Sequence, residues 1–480
     1  MTRAAHNKTT ADQRHKHVIP WLIASIIVAC VILAGGLYVH RLVQQKKQDT
    51  LIPVEQAASP AALVNKATAN AQPIDTAALQ QDLQTFESNL NVGKDYSIIV
   101  EQPDGHVLLS VNPNTPRTPA SNLKTFTALA AVHTLDMNST LNTTTYLVNS
   151  TPSNVVLVLK GGGDMLLGSG YNDPNHIFGR AGLATLAEQT VASLKKKGIT
   201  AITLDADNSL FGSEDMPPTM IADASSQGYF TPIVSMAIDE GKIGSLGSNP
   251  DSITNAYLPR ETNPVKSVVD MFASLLQKDG IAVNGHYNFA NAKQMAEETS
   301  ETQLAQVHSA PLWEILRLTL QQSNNSLMEL FGRLIANKVH ATNSTAGATS
   351  AVTSIDEKLG INMTGVHMAD CCGLSNGSTV TVAALVQVQR QFYDSANAAA
   401  LEGMGVSGFS GTPLEHNFTP ETYGLVRAKT GTLSNVSSMS GNVLRTKGGL
   451  LFFSVIINNP TNLTAAQDAI DAFVGGLTQV

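Results

Sequence analysis

The chain has 480 residues, of which 43% are hydrophobic and 14% are charged. This length allows two to four domains, and the composition is too apolar for an intrinsically disordered chain and too polar for a many-pass membrane protein. The formal net charge of -8 is uneven: residues 1–40 carry four basic residues against one acidic residue, or +3, which leaves -11 on the remaining 440. An acidic main body of this kind is not expected to bind nucleic acid.

An uncharged apolar run covers residues 18–39 and is long enough for a helix to cross a hydrocarbon core of about 30 Å. A short basic head, residues 1–17, precedes this run, and the large acidic body follows it. The sequence therefore predicts a single-pass transmembrane anchor with the body outside the cytoplasm. A cleaved signal peptide is the alternative, although its apolar region is normally shorter. Residues 40–76, rich in Gln, Ala, Asn and Pro, are predicted to be a linker.

The folded body is predicted to be an α+β domain with a five-stranded antiparallel sheet between its first and last helices. Apolar residues at helical spacing run from Leu79 to Leu90, and strand-like runs at 96–102 and 106–111 then flank a Pro-Asp-Gly turn. Three more strand-like runs lie near the C-terminus, at 423–432, 437–443 and 450–457. A final helix with one apolar face is predicted from Leu463 to Leu477.

Strand-like and helical runs alternate in residues 140–305, unlike the runs of the terminal sheet, and these residues are predicted to form an inserted domain. The enclosing domain then comprises residues 77–139 and 306–480. The elements predicted inside the insertion are a strand at 154–159, a helix at 183–197, a strand at 200–205 and a helix at 265–277.

Ser121 and Lys124 stand three residues apart at the head of an apolar helical run. This spacing places the lysine amine one helical turn from the serine hydroxyl, where it could act as a base if its pKa is lowered by burial or by another cation. The same spacing recurs at Ser193 and Lys196, which look like a solvated helix end. The pattern alone is therefore weakly specific.

Two further motifs lie later in the chain. Ser323-Asn324-Asn325 precedes an apolar helical run and is consistent with an ordinary helix cap. Lys429-Thr430-Gly431-Thr432 ends a strand-like run, where an ammonium, a hydroxyl and an open backbone edge could receive a peptide that carries a carboxylate.

The order of these three motifs resembles that of the penicillin-recognising serine acyltransferases, the penicillin-binding proteins and serine β-lactamases. Further segments are similar to the D-alanyl-D-alanine carboxypeptidase/endopeptidase family of low-molecular-mass (class C) penicillin-binding proteins, namely 159–164, 205–211, 232–239, 370–375 and 405–412. That family has a large insertion between its first two motifs, and here 198 residues separate Lys124 from Ser323. The resemblance covers residues 77–480. The chain departs from it at Asn324, where Asp is usual, and at Cys371-Cys372, where Gly-Ser is common.

The resemblance implies the penicillin-binding/serine β-lactamase-like fold and a catalytic mechanism through an acyl-enzyme. Lys124 would take the proton of Ser121, which attacks the carbonyl of a D-Ala-D-Ala bond or of a D-Ala cross-link. The backbone N–H groups of Ser121 and Thr432 would form the oxyanion hole. Ser323 would relay a proton to the leaving amine.

The resemblance also implies the residues that hold the substrate. Asn325 would bind substrate and Lys124, whereas Lys429, Thr430 and Gly431 would bind the substrate at its carboxylate. Lys429 is further expected to lower the pKa of Lys124 by repulsion between like charges. The paired cysteines, Cys371 and Cys372, are predicted to be small apolar residues rather than a disulfide.

The predicted protein is thus a serine peptidase of the bacterial cell membrane that acts on peptidoglycan stem peptides and is inhibited covalently by β-lactam antibiotics. No cofactor and no metal are expected, because no His-Glu-x-x-His or Cys/His ligand cluster occurs. Two alternatives stay open: a β-lactamase or esterase on the same fold, and a non-catalytic, membrane-tethered wall-binding protein. The sequence does not separate carboxypeptidase from endopeptidase activity.

Overall fold

The computed structural model describes residues 71–151, 154–284, 302–394 and 398–480. The predicted head and anchor, residues 1–39, and the linker up to residue 70 lie outside these ranges. Within them, no helix combines the length and the apolar character that a membrane crossing requires.

The described ranges contain ten α-helices. They are α1 Thr76–Ser88, α2 Lys124–Thr134, α3 Leu183–Lys196, α4 Pro264–Lys278, α5 Leu312–Gln321, α6 Asn325–Lys338, α7 Thr345–Lys358, α8 Val382–Asp394, α9 Ala399–Gly403 and α10 Leu463–Gly476.

The same ranges contain thirteen strands. They are β1 Tyr96–Glu101, β2 Val107–Val111, β3 Thr140–Thr151, β4 Asn154–Gly161, β5 Asp164–Leu167, β6 Ala201–Asp207, β7 Met236–Ile238, β8 Ala282–Val283, β9 Thr302–Pro311, β10 Gly405–Val406, β11 Val426–Leu433, β12 Val436–Leu444 and β13 Leu450–Asn458.

The terminal sheet has the order β10-β11-β12-β13-β1-β2 and is antiparallel throughout. The five predicted strands are all present, but the predicted number was one too low, because β10 adds a sixth. Its two residues are too few for an alternating pattern to show in the sequence. Along β11, β10 pairs only with Arg427 and Ala428. In the part of the chain that the structure describes, β11 therefore has no strand partner on that side from Lys429 onwards.

The sheet is covered by helices on both faces, which explains why β13 is buried at every position. Successive side chains of a strand point to opposite faces. Phe453 belongs to the hydrophobic core shared with α1 and α10, where Phe86 and Phe473 lie with their ring centroids 5.7 Å apart. The preceding residue, Phe452, faces the other side and packs edge-on against Tyr393 of α8 at 5.3 Å. The first and last helices thus flank the sheet as predicted.

A second sheet lies between the first and second motifs, in the order β8-β6-β4-β3-β9. β3 pairs antiparallel with β4 and β9, whereas β6 pairs in parallel with β4 and β8. All four elements predicted for the insertion are present as β4, α3, β6 and α4. The boundaries 140 and 305 stay predictions; β9 continues to Pro311.

Replacing Phe86 by Ala should destabilise the protein by about 3 to 5 kcal/mol, because its ring is 3% exposed and the vacated space lies between α1 and α10. Leu90→Ala is the control, since Leu90 is 89% exposed and its loss should change the free energy of unfolding by less than about 0.5 kcal/mol. Chemical denaturation measures both changes. Equal midpoints for the two variants would contradict this account of the core.

Candidate active site

Ser121 lies in a single 3₁₀ turn, Ala120–Leu123, that leads into α2. β11 passes directly beside this turn. A Cβ atom on Gly431 would stand 2.9 Å from the amide nitrogen of Ser121 and 2.8 Å from the carbonyl oxygen of Pro119. Only a residue without a side chain allows this approach, so Gly431 brings the open edge of β11 next to the serine.

Hydrogen bonds from the neighbouring strand fix the turn that carries Ser121. The side-chain amide of Asn122 donates to the hydroxyl of Ser438 at 2.8 Å, and the hydroxyl of Ser440 donates to the Asn122 carbonyl at 2.6 Å. Ser438 and Ser440 both belong to β12. The serine is therefore held by the sheet itself rather than by a free loop.

Lys124 is the first residue of α2, and its side chain is fully buried. Its Nζ atom lies 2.9 Å from Oγ of Ser121, 2.7 Å from Oδ1 of Asn325 and 2.7 Å from the carbonyl oxygen of Cys372. A neutral amine has two hydrogens and one lone pair, and the two carbonyl oxygens can only accept hydrogens. In the neutral form of Lys124 both hydrogens would thus be engaged, and the lone pair would be left for the Ser121 hydroxyl.

Burial lowers the pKa of Lys124, although the acidic groups of Cys372, Asp370 and Glu329 act in the opposite direction. The sequence offered burial or a nearby cation as the cause of such a lowering, with Lys429 expected to contribute. Burial is the leading cause, because removing the ammonium from water disfavours its charged form, and Lys429 is not among the causes. The result is a lysine suited to accept a proton from Ser121.

The carbonyl of Cys372 was not identified from the sequence as part of the site, and the loop that carries it is organised by Asp370. The Asp370 carboxylate accepts four backbone N–H groups, from Cys372 at 3.0 Å, Gly373 at 2.6 Å, Leu374 at 3.1 Å and Ser375 at 2.6 Å. An Asp that precedes such a turn is the signal that could have indicated this loop. Cys371 and Cys372 are both buried free thiols, as predicted.

Glu329, Asp370 and Cys372 offer ligand atoms within 4.8 Å of one another, an arrangement that could hold a metal ion. Burial, together with the charge of Asp370, raises the pKa of Glu329 to about 8, so this carboxyl is protonated at neutral pH. The Asp370 oxygens are already occupied by backbone N–H groups. These three groups are therefore better suited to supporting the loop than to binding a metal.

The second motif lies between α5 and α6. Ser323 adopts a left-handed backbone conformation with φ of 54°, and Asn324 caps α6 by accepting the N–H of Leu327 at 2.9 Å. Asn325, which contacts Lys124 through Oδ1, also donates from Nδ2 to the Tyr229 carbonyl at 3.0 Å. The motif therefore caps α6 through Asn324 and contacts Lys124 through Asn325.

Lys429 joins the third motif to the second. Its Nζ atom donates to the hydroxyl of Ser323 at 2.9 Å and to the carbonyl of Thr430 at 2.6 Å. Burial, with the charge of Lys124 as a smaller cause, holds the pKa of Lys429 well below its usual range. The hydroxyl of Thr430 is directed to that of Thr412 at 2.6 Å.

A cleft of about 370 Å³ opens over these groups. Its lining residues are Ser121, Tyr257, Ser323, Thr412, Glu415, His416, Asn417, Thr430, Thr432, Thr464, Gln467, Asp468 and Asp471. The hydroxyls of all three motifs therefore face one space, although the motifs are far apart in the sequence. Of the residues that the sequence proposed for catalysis or binding, Ser121, Ser323, Thr430 and Thr432 line this cleft. Lys124 bonds to Ser121 and Asn325, and Lys429 bonds to Ser323.

A serine that faces a buried lysine, with a second serine–lysine pair across the same cleft, defines a serine acyl-transfer enzyme. The structure is similar to that of penicillin binding protein 4 (dacB) from Haemophilus influenzae, with a TM-score of 0.67 and 20% identity over 85% of this chain and 100% of that one. The penicillin-binding/β-lactamase-like fold is thereby confirmed.

Residues 76–252 and 244–480 match the D-Ala-D-Ala carboxypeptidase 3 (S13) family. The chain is 26% identical to Carboxypeptidase DacB of Mycolicibacterium smegmatis, with 97% of this chain and 98% of that protein covered. It is 28% identical to Carboxypeptidase Rv3627c of Mycobacterium tuberculosis, with 81% of each covered. The chain belongs to the D-Ala-D-Ala carboxypeptidase 3 (S13) family. The prediction of a serine-type D-Ala-D-Ala peptidase acting on peptidoglycan is confirmed.

The rate of acylation by a β-lactam should rise with pH, because only the neutral amine of Lys124 can accept the Ser121 proton. Below its pKa the amine is protonated and inactive; since burial lowers that pKa, the rise should be centred below the pKa of an exposed lysine. Lys124→Arg, which stays protonated, should lose about 10²- to 10⁴-fold in rate. Stopped-flow acylation across the pH range measures both, and a rate independent of pH would exclude Lys124 as the base.

Gly431→Ala should slow acylation about 10²-fold, since the added methyl group would force β11 away from the Ser121 amide. Gly170→Ala serves as the control, because a Cβ at Gly170 would have nothing within 4 Å. The same acylation assay, with melting temperatures of both variants, tests the claim. An unchanged rate in Gly431→Ala would mean that β11 need not approach so closely.

Proposed function

We propose that the protein cleaves D-Ala peptide bonds through an acyl-enzyme on Ser121, with neutral Lys124 as the general base. The observation that carries this assignment is the position of Lys124 Nζ, 2.9 Å from Oγ of Ser121, with its two hydrogens taken by the carbonyls of Asn325 and Cys372. The serine oxygen attacks the peptide carbonyl as its proton passes to Lys124. The bond between the carbonyl carbon and the amide nitrogen then breaks, which leaves an ester on Ser121.

The leaving amine must receive a proton, and Ser323 is the proposed donor. Its hydroxyl lines the same cleft as Ser121 and is held by Lys429 at 2.9 Å. The proton that Lys124 takes from Ser121 would pass through Ser323 to the leaving nitrogen, which returns Lys124 to its neutral form for the second step. Water subsequently hydrolyses the ester on Ser121. The backbone N–H groups of Ser121 and Thr432 are proposed to stabilise the oxyanion in both steps, with an effect of roughly 3 to 4 kcal/mol per donor in other hydrolases.

Substrate binding is proposed for the edge of β11. The peptide would lie along Thr430, Gly431 and Thr432, with its carboxylate at Lys429 and Thr430 and its amide at Asn325. In the free enzyme burial disfavours the charged form of Lys429. A substrate carboxylate in the cleft would reverse that effect and raise the Lys429 pKa, so that binding is coupled to protonation of the lysine.

The substrates we propose are the terminal D-Ala-D-Ala bond of peptidoglycan stem peptides and D-Ala cross-links between them. β-Lactams would acylate the same serine, and penicillin binding protein 4 from Haemophilus influenzae has been solved in complex with one. We also propose that residues 18–39 anchor the chain in the bacterial membrane with the catalytic body outside. Recovery of the full chain in a carbonate-washed membrane fraction, against release after deletion of 18–39, tests the anchor.

Ser121→Ala should abolish the covalent adduct with labelled penicillin, because the Ser121 hydroxyl is the group that the lone pair of Lys124 faces. Ser193→Ala is a matched control, since Ser193 and Lys196 have the same sequence spacing but lie on α3. Intact-mass spectrometry after incubation measures the adduct. An adduct that persists on Ser121→Ala would disprove the assignment of the nucleophile.

Purified wall fragments distinguish the two peptidase activities. Incubation with the protein should release terminal D-Ala, cleave cross-links, or do both, and each product has its own mass. Ser121→Ala should yield neither product. If the wild-type protein forms a penicillin adduct but yields neither product, the peptidoglycan substrate rather than the acylation chemistry would be wrong.

A further inference from the structure

The second catalytic motif is held by a buried carboxylate that belongs to the inserted region. Glu240 follows β7, in the turn Asp239–Gly241, and its side chain has no exposed surface. Its Oε2 accepts a hydrogen bond from Nδ2 of Asn324 at 2.8 Å. Asn324 is the central residue of the second motif. Its neighbours are Ser323, the proposed proton donor, and Asn325, which contacts Lys124.

Two buried cations keep Glu240 ionised. Nζ of Lys242 lies 3.2 Å from Oε2 and a guanidinium nitrogen of Arg260 lies 3.4 Å from Oε1. Burial by itself raises the pKa of Glu240, but Arg260, Lys242 and the bond from Asn324 outweigh it and lower that pKa overall. Lys242 also stands 4.1 Å above the ring of Phe178. The carboxylate thus lies between two buried basic side chains.

The backbone at Glu240 adopts a conformation that is sparsely populated. Asp239 and Glu240 have φ of 48° and 59°, a left-handed conformation that residues other than glycine rarely adopt. The hydroxyl of Thr231 donates to the Glu240 carbonyl at 2.6 Å, while the Thr231 N–H donates to the hydroxyl of Ser326 at 2.8 Å. Thr231 therefore links the Glu240 turn to Ser326, the residue that follows the motif.

Asn324 cannot turn its amide around to adapt to a different partner. Its Oδ1 caps α6 by accepting the N–H of Leu327, so its Nδ2 must point to Glu240. An aspartate at this position would place one of its oxygens against the Glu240 carboxylate. The amide of Asn324, where related enzymes usually have Asp, is accordingly matched to an ionised Glu240.

We propose that Glu240 is a positioning residue, which sets the place of Ser323 and Asn325 in the cleft through its hydrogen bond to Asn324. The inference rests on the catalytic roles proposed above for those two residues. The inserted region would then contribute to acylation by holding the second motif in place. It contacts that segment through Glu240, Tyr229 and Thr231.

The test uses three variants of the full chain: Glu240→Gln, Asn324→Asp and the double variant. Each single change disturbs the match. In Glu240→Gln, an oxygen in the Oε2 position keeps Asn324 and Lys242 but turns the NH₂ group to Arg260, whereas the flipped amide turns it to Asn324 and Lys242. In Asn324→Asp two carboxylates meet. We expect each to slow acylation by penicillin about 10- to 100-fold. The double variant restores one donor and one acceptor across this contact, and we expect it to recover about tenfold over either single variant.

Glu314→Gln is the matched control. Glu314 on α5 pairs with Arg180 of the inserted region at 2.8 Å, so it also joins the two parts of the chain, but this partner is not a motif residue. We expect its acylation rate to stay within about twofold of wild type. Melting temperatures separate positioning from folding, because a positioning effect lowers the acylation rate at saturating penicillin in a variant that still melts cooperatively.

The outcomes are distinct. Wild-type rates in Glu240→Gln and Asn324→Asp would overturn the proposal, as would a double variant that regains the wild-type melting temperature while its acylation rate stays low. If a single variant does not fold, the double variant carries the test, and joint recovery of folding and acylation supports the proposal. Absence of any penicillin adduct in the wild type would instead refute the function on which the inference rests.

Discussion

The arrangement of the site depends on how the hydrogens of one buried amine are shared. Lys124 is enclosed by two carbonyl oxygens and one hydroxyl, and because carbonyls cannot donate, they determine which face of the nitrogen remains free. The direction of the lone pair is thus set by two distant parts of the chain, the loop at Cys372 and the start of α6 at Asn325. Burial supplies the complementary condition by lowering the pKa of Lys124, which disfavours the ammonium.

Most of the fold was predictable from the sequence because its signals are local, and the motif residues were predictable because the order of three weakly specific motifs resembles that of a known family. Alternating apolar residues indicated five of the six strands of the terminal sheet, and the spacing of Ser121 and Lys124 is one helical turn. The supporting groups gave no such signal. The contribution of Cys372 is a backbone carbonyl, which every residue has, and Glu240 reaches Asn324 only through the folded chain, 84 residues away.

The loop 324–326 receives polar contacts from the region between the first two motifs, in addition to the Arg180–Glu314 ion pair and the apolar core that this region shares with the helices of the site. Tyr229, Thr231 and Glu240 each bond a different residue of the segment 324–326. Buried polar groups are costly when unpaired, so such contacts specify one relative arrangement of the connected elements more sharply than apolar packing does. The same applies to Lys124 and Lys429. Both amines are buried with lowered pKa, so losing their hydrogen-bond partners would be costly as well.

The two buried thiols beside the backbone carbonyl that contacts Lys124 have a separate consequence. Burial, with the nearby acidic groups Glu329 and Asp370, raises the pKa of both Cys371 and Cys372 well above the usual range, and neither has exposed surface. Thiolates, not thiols, react with alkylating reagents and oxidants. While the loop that carries them keeps this structure, both sulfurs are therefore unreactive. The rate at which a thiol reagent modifies them then measures how often this loop opens locally.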